Sequence, residues 1–262
     1  MKKAIILFAF VFAIIIGCSD NTTNPSLQQN GSLKLYLVDS PSSLDSVIIS
    51  VKRVEVHKAA NDSTSGWYVI NSTTRSFNLL ELRNGASAVL GDSVLSPGQY
   101  TQIRLILNNN NYVKENDLRH NLKIPSGIQT GIKLNHEFTI EPGNLYELVL
   151  DFNVDKSINI TGNGNYMMKP VIRVMPKIIS GTVSGQILPD DAMATVFTKV
   201  GEDTVSTYPD PSGFFKLMAL PAGSYSIEIF PGNTAYKATA IDDVNVSENQ
   251  NTNIGVIELE NN

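Results

Sequence analysis

The chain has 262 residues, a formal charge of −5 and a single cysteine. A mildly acidic surface supplies no basic face for nucleic acid, and one thiol leaves neither an intramolecular disulfide nor a Cys-based metal site. Stability must therefore come from apolar cores, and the length suits two domains of ordinary size.

The chain opens MKKAIILFAFVFAIIIGCSD. Lys2 and Lys3 precede an apolar run of 13 residues, Ala4 to Ile16. A membrane-spanning helix needs roughly 20 residues, so the run matches the hydrophobic segment of a secretory signal instead. It ends Ile15-Ile16-Gly17-Cys18, which resembles the lipobox of bacterial lipoproteins. The resemblance implies cleavage before Cys18 and acylation of its thiol; the alternative is a plain signal peptide beside a chance cysteine. Two or more acyl chains anchor stably where one does not. Residues 1–17 are thus expected as a signal peptide. Ser19 after the cysteine points to the outer membrane or the cell surface. Residues 18–30 read as a flexible tether: the stretch NTTNPSLQQN is polar and uncharged, and ten or so such residues reach about 20 Å.

From Gly31 onward, period two dominates. Leu33, Leu35 and Leu37 alternate with Lys34 and Tyr36. Val47, Ile49 and Val51 continue the pattern, Lys52-Arg53 shifts its phase, and Val54 and Val56 resume it, which predicts a β-bulge. Strands are predicted over residues 67–70, 77–80, 100–107, 122–124, 132–140, 145–152 and 171–175. Turn signals such as Asp62-Ser63, Pro97-Gly98, Asn108 to Asn111 and Pro142-Gly143 separate them. Only Glu81 to Leu90 reads as a short helix, and Gly85 argues against even that. A second series covers residues 180–188, 194–199, 204–208, 214–218, 224–230, 236–240, 243–246 and 253–259. Many short strands with Gly/Pro turns predict an all-β chain, two tandem β-sandwich domains over 31–177 and 178–262.

One motif recurs. Leu95-Ser-Pro-Gly-Gln-Tyr100 and Leu220-Pro-Ala-Gly-Ser-Tyr225 each precede a strand, and Pro142-Gly-Asn-Leu-Tyr146 is a looser copy. Glycine permits the positive-φ turn back into a sheet. The tyrosine is expected to bury its ring while its hydroxyl reaches nearby backbone, as in a tyrosine corner.

Two resemblances cover most of the chain. Residues 179–260 carry Gly181-Thr-Val183, Ala194 to Phe197, Asp210-Pro-Ser-Gly-Phe-Phe215 and Leu220-Pro-Ala-Gly-Ser-Tyr225. This series resembles the carboxypeptidase regulatory-like family, which implies a transthyretin-like, usually non-catalytic sandwich. Residues 31–176 carry LYLVDSPSSLDSVIISVKRVEVH, FNLLELRNGASAVLGDSVLSPGQYTQIRLIL, LKIPSGIQTGIKL, LVLDFNVDKSI and GNGNYMMKPVIRV. In that order they are similar to the DUF4382 family of envelope proteins, which implies a β-rich secreted domain and supplies no catalytic residues.

No residue set names a reaction. His57, His120 and His136 are far apart and form no metal-ligand spacing, whereas a zinc site needs three or four ligands. His57 is placed on the outward face of its strand, and His136 on the same face as Leu134 and Phe138. No GxSxG elbow is present, Ser126 sits in a Pro-Ser-Gly turn, and Asp210 lacks the spacing of a calcium loop. Neither cofactor nor metal is expected. Three charges interrupt apolar strands: Arg104 in QIRLIL, Asp151 in LVLDF and Arg173 in VIRVM. They either face solvent, or pair across strands (Asp151 with Arg104 or Arg173), or serve a ligand. Trp67 is either edge-strand packing or a stacking platform for a sugar. The expectation is a lipid-anchored envelope protein, non-enzymatic, a binding or structural module whose partner is a glycan or an envelope protein. The rivals are a carbohydrate-binding surface protein and a hydrolase with an unrecognised site.

Overall fold

The computed structural model describes residues 29–39, 42–59, 65–125 and 127–262. Cys18 with its expected acylation, the signal peptide, most of the tether, the Asp62-Ser63 turn and Ser126 lie outside the described residues.

The first series of strands is β1 (Gly31–Asp39), β2 (Ser46–Lys58), β3 (Trp67–Asn71), β4 (Arg75–Asn78), β5 (Ala88–Leu95), β6 (Gly98–Leu107), β7 (Tyr112–Glu115), β8 (Leu118–Lys123), β9 (Ile132–Ile140), β10 (Leu145–Phe152), β11 (Ile158–Ile160), β12 (Tyr166–Met168) and β13 (Ile172–Pro176). They form a four-stranded sheet, β13-β10-β1-β5, and a nine-stranded sheet, β11-β12-β8-β7-β2-β6-β9, with β3 and β4 also paired to β2. The two sheets enclose one core. Leu33, Leu35 and Leu37 of β1 meet Leu148, Leu150 and Phe152 of β10 and Val54, Val56, Ile103 and Leu105 of the facing sheet. The register of β2 on β6 shifts between Val51 and Arg53, so the bulge falls at Lys52, where the phase of the sequence breaks.

The second series is β14 (Ser180–Leu188), β15 (Thr195–Val200), β16 (Asp203–Thr207), β17 (Phe214–Pro221), β18 (Gly223–Phe230), β19 (Thr239–Val246) and β20 (Asn251–Glu258). Sheets ordered β17-β14-β20 and β16-β15-β18-β19 enclose a separate core of Val183, Val196, Phe215, Leu217, Ile227 and Ile229. The chain is thus all-β, with two cores each held between two sheets.

The repeated tyrosine motif folds as expected in two of its copies. Tyr100 Oη donates to Ser96 O at 2.9 Å and Tyr225 Oη to Pro221 O at 2.8 Å, each four residues back. Gly98 has φ +135° and Gly143 of the looser copy φ +73°, while Gly223 is absent from the positive-φ positions, so the copy ending at Tyr225 does not need its glycine for backbone freedom. The predicted helix over 81–90 is replaced by one 3-10 turn, Leu79–Glu81, and by β5. The Asp210 loop is an Asx turn. Its Oδ1 accepts from Ser212 N, Ser212 Oγ and Phe214 N, and these bonds, Ser212 Oγ foremost, hold the carboxyl below the ordinary carboxylate range.

Candidate functional site

Two charged clusters hold the four residues singled out from sequence. The first lies on the outer face of the nine-stranded sheet. Alternation along β2 turns Val54 and Val56 inward and Arg53, Glu55 and His57 outward. Glu55 sits opposite Arg104 of β6. It is 4% exposed, and Arg104 Nε donates to its Oε2 at 2.7 Å while Arg104 Nη2 contacts the same oxygen. Arg53 Nε lies 2.7 Å from Glu55 Oε1 but makes no hydrogen bond of acceptable angle, so it contributes charge alone. The Arg104 guanidinium in turn lies 3.8 Å above the Trp67 ring centroid, a cation–π stack. His57 meets the edge of Trp67 at 5.0 Å. Its Nε2 is 3.1 Å from Ser65 O. A carbonyl only accepts, so Nε2 is the donor in that contact, and Nδ1 faces Thr101 Oγ1 at 3.4 Å. His57 faces outward from the core as expected, yet it is 9% exposed, covered by Trp67.

This arrangement bears on the sugar-platform reading of Trp67. A stacking platform presents a bare ring face. Here one face carries a guanidinium that a buried carboxylate holds in place, so a sugar ring stacking on that face would have to displace Arg104 from Glu55.

The second cluster lies at the junction of the two cores. On β10, Leu148, Leu150 and Phe152 point into the first core, while Val149 and Asp151 point to the opposite side of the sheet. There Val38, Val149 and Met175 pack with Ala219 of β17, flanked by Tyr36 and Met218. Asp151 pairs in register with Arg173 of β13, and Arg173 Nη2 donates to Asp151 Oδ2 and to Ala219 O, both at 2.8 Å. Burial pushes the Asp151 carboxyl up from its ordinary value, and the adjacent guanidinium offsets part of that rise. The carbonyl reaches Arg173 because β17 bulges: its register on β14 shifts here, and Ala219 takes φ +56°.

Asn84 closes the same junction from the loop after the 3-10 turn. Its φ of +53° is in the left-handed region that asparagine tolerates best among side-chain-bearing residues. Its Nδ2 donates to Tyr208 O at 2.8 Å, and its Oδ1 accepts from Thr207 Oγ1 at 2.6 Å and Lys216 N at 3.2 Å. Nearer the start of β10, Glu147 accepts from Tyr36 Oη at 2.6 Å and Lys177 Nζ at 3.1 Å. Burial works against the Glu147 charge, but these donors hold its carboxyl below the ordinary range.

The structure therefore pairs Asp151 with Arg173, pairs Arg104 with Glu55, and puts the two pairs on different sheets. Glu55 and Asn84 were not singled out from sequence. Alternation in VEVH places Glu55 beside Arg53, but nothing local in Arg83-Asn84-Gly85 signals contacts with residues 207–216. His136 packs on Phe138 at 6.3 Å between centroids, and His120 tilts against Tyr166 at 4.8 Å. Among the described residues no three His, Cys, Asp or Glu side chains gather to hold a metal ion, and no helix is long and apolar enough to cross a membrane.

Comparison with solved structures finds a type II cohesin–X-dockerin complex from Acetivibrio cellulolyticus, 26% identical, covering 31% of this chain and 58% of that chain, with a TM-score of 0.24. The minor pilin GBS52 of Streptococcus agalactiae is 10% identical, with coverage of 87% and 96% and a TM-score of 0.24. The shaft pilin SpaA of Lactobacillus rhamnosus GG is 10% identical, with coverage of 89% and 98% and a TM-score of 0.27. No curated protein matches the chain. The family profile described as domain of unknown function (DUF4382) matches residues 30–170, more than half of the sequence, and the chain belongs to that family.

Proposed function

We propose that the chain is a lipid-anchored lipoprotein of the cell envelope, exposed at the outer membrane or cell surface, and that it acts as a non-catalytic binding and structural module. In this reading Cys18 carries the acyl anchor, and residues 178–262 form a carboxypeptidase regulatory-like domain docked on the DUF4382 domain. The observation that carries the non-catalytic reading is the use made of buried charge. Glu55 and Asp151, two of the three buried carboxylates among the described residues (the third is Asp39 at the end of β1), are each committed to an arginine on a neighbouring strand. A general acid or nucleophile needs its reactive atom open to a substrate; these are spent on holding sheets together. The Asx turn at Asp210 and the corner at Tyr225 support the second domain assignment.

Labelling cells with a palmitate analogue tests the anchor. Wild type takes up label and Cys18→Ser does not; unlabelled wild type, or equal label in both, refutes it. A binding screen of the purified chain against glycans and envelope proteins, with a Trp67→Ala control, tests the module reading.

A further inference from the structure

A groove of 970 Å³ crosses the end of the nine-stranded sheet where β12 pairs with β8. That volume is near the upper end for small-ligand sites. We propose that it binds a neutral, hydroxyl-rich oligosaccharide chain. The inference rests on the reading of the protein as a binding module and names the class of ligand.

Besides the buried Asn111, five amide side chains line the groove: Asn109, Asn121, Gln129, Asn163 and Asn165. Among the described residues no hydrogen-bond partner takes up any of them. The loops that present them are nonetheless locked. Asn111 is 3% exposed, accepts from Ser50 N at 2.8 Å and donates to Asn108 O at 2.6 Å. Asn108 Oδ1 accepts from Asn109 N at 2.8 Å. Across the groove, the turn from Thr161 to Asn165 is closed by Thr161 N and Oγ1 on Asn165 O and by Asn165 N on Thr161 Oγ1. Backbone and buried groups fix both loops, so the backbone positions of Asn109, Asn163 and Asn165 are set before a ligand arrives, which lowers the backbone entropy lost on binding.

The lining chemistry selects the ligand. A side-chain amide offers a donor and an acceptor side by side, the pattern that neighbouring sugar hydroxyls present. Lys123 is the one charged residue among the described lining residues, too little for a polyanion. Ile128, 44% exposed, gives an apolar surface for the C–H face of a sugar ring, backed by Leu122 and Ile124, which are buried in the first core. An extended peptide seeks an unpaired strand edge. Where the groove crosses them, Leu122 and Lys123 of β8 pair with Tyr166 and Met167 of β12, and β12 pairs with β11 on its other side, so this part of the floor offers none.

Affinity electrophoresis of the full-length chain in detergent tests this, in gels cast with a β-1,3-glucan, a mannan or a xylan, and with a polyuronate for comparison. At least one neutral polysaccharide retards wild type more than the polyuronate does. Asn121→Ala/Asn165→Ala weakens that retardation about tenfold, as two hydrogen bonds of ordinary strength would, and Trp67→Ala leaves it unchanged. Ile128→Arg, which blocks the floor and leaves the amides intact, abolishes it, and is decisive should the amide variant lose its fold. Retardation by none of the neutral polymers, by the polyuronate alone, or equally in wild type and Ile128→Arg overturns the proposal. Palmitate labelling is independent of the groove, so failure here and failure of the envelope reading are told apart.

Discussion

Replacing Asp151 and Arg173 singly and together tests whether the junction is dry. Their charged atoms are 2.8 Å apart and their side chains 10% and 16% exposed. At an effective dielectric of 20, the attraction at that distance is about 6 kcal/mol, but removing both ions from water cancels most of it. The net worth of the pair is therefore small, while the penalty for an orphaned partner is large. Arg173 Nη1 already lacks a partner among the described residues, so the guanidinium depends on Asp151 and Ala219. Asp151→Leu and Arg173→Met should each cost about 3–5 kcal/mol, whereas the double variant should cost no more than about 3 kcal/mol. Trp67 is the only tryptophan and belongs to the unit holding both residues, so urea unfolding followed by its fluorescence reads the right transition. pH supplies a second check. In Arg173→Met the lone buried carboxyl prefers its neutral form, so the folded state binds more protons than the unfolded state. Stability then falls as pH rises above the ordinary carboxylate value, and the cost of Arg173→Met is smaller at pH 5 than at pH 7.5. Single variants each costing under about 1 kcal/mol with no coupling would refute the reasoning and show the pair to be solvated.

Asn84→Ala removes three hydrogen bonds across the junction, worth about 0.5–1.5 kcal/mol each; hydrogen exchange should show lost protection at Lys216 N with that of Leu105 unchanged. Tyr100→Phe and Tyr225→Phe should each cost about 1 kcal/mol in urea unfolding. Tyr146→Phe should cost almost nothing, because the Tyr146 hydroxyl has no hydrogen-bond partner among the described residues. Burial lowers the pKa of His136, and its Nε2 has no partner among those residues. Its stabilising contribution is thus complete above the ordinary histidine value of about 6.5 and is lost as pH falls through the lowered one; His136→Phe should flatten the urea midpoint between pH 7.5 and pH 5.

Alternation made most of the fold legible. The spans 132–140, 145–152 and 180–188 match β9, β10 and β14 residue for residue. Strand β5 was hidden because Gly91-Asp92-Ser93 looks like a turn. Gly91 is there for a close approach: a Cβ on it would lie 2.6 Å from Ile70 Cγ2 of β3. Strands β7, β11 and β12 are three or four residues long and too short to show a period. Residues 236–240 read as a strand, but Tyr236 makes only an isolated bridge to Asn261 and β19 begins at Thr239. The charged site residues were visible as charges that needed partners. Their partners were not, because facing direction is local whereas strand adjacency is decided by the whole sheet.

The contrast between β9 and β10 explains where the second unit sits. In IKLNHEFTI, Lys133, Asn135, Glu137 and Thr139 are exposed on the outer face, the usual alternation of a sheet with one wet side. In LYELVLDF the outer positions Val149 and Asp151 are 7% and 8% exposed, and alternation fades into a continuous apolar run. A strand reads that way when both of its faces are covered. Here the second cover is Met218 and Ala219 of β17. A charge placed in such a strand must be paired, and Arg173 meets the requirement while also gripping a carbonyl of the covering unit. The two units are therefore docked through the four-stranded sheet, which leaves the nine-stranded sheet, with its amide-lined groove, clear of the junction and open to a partner.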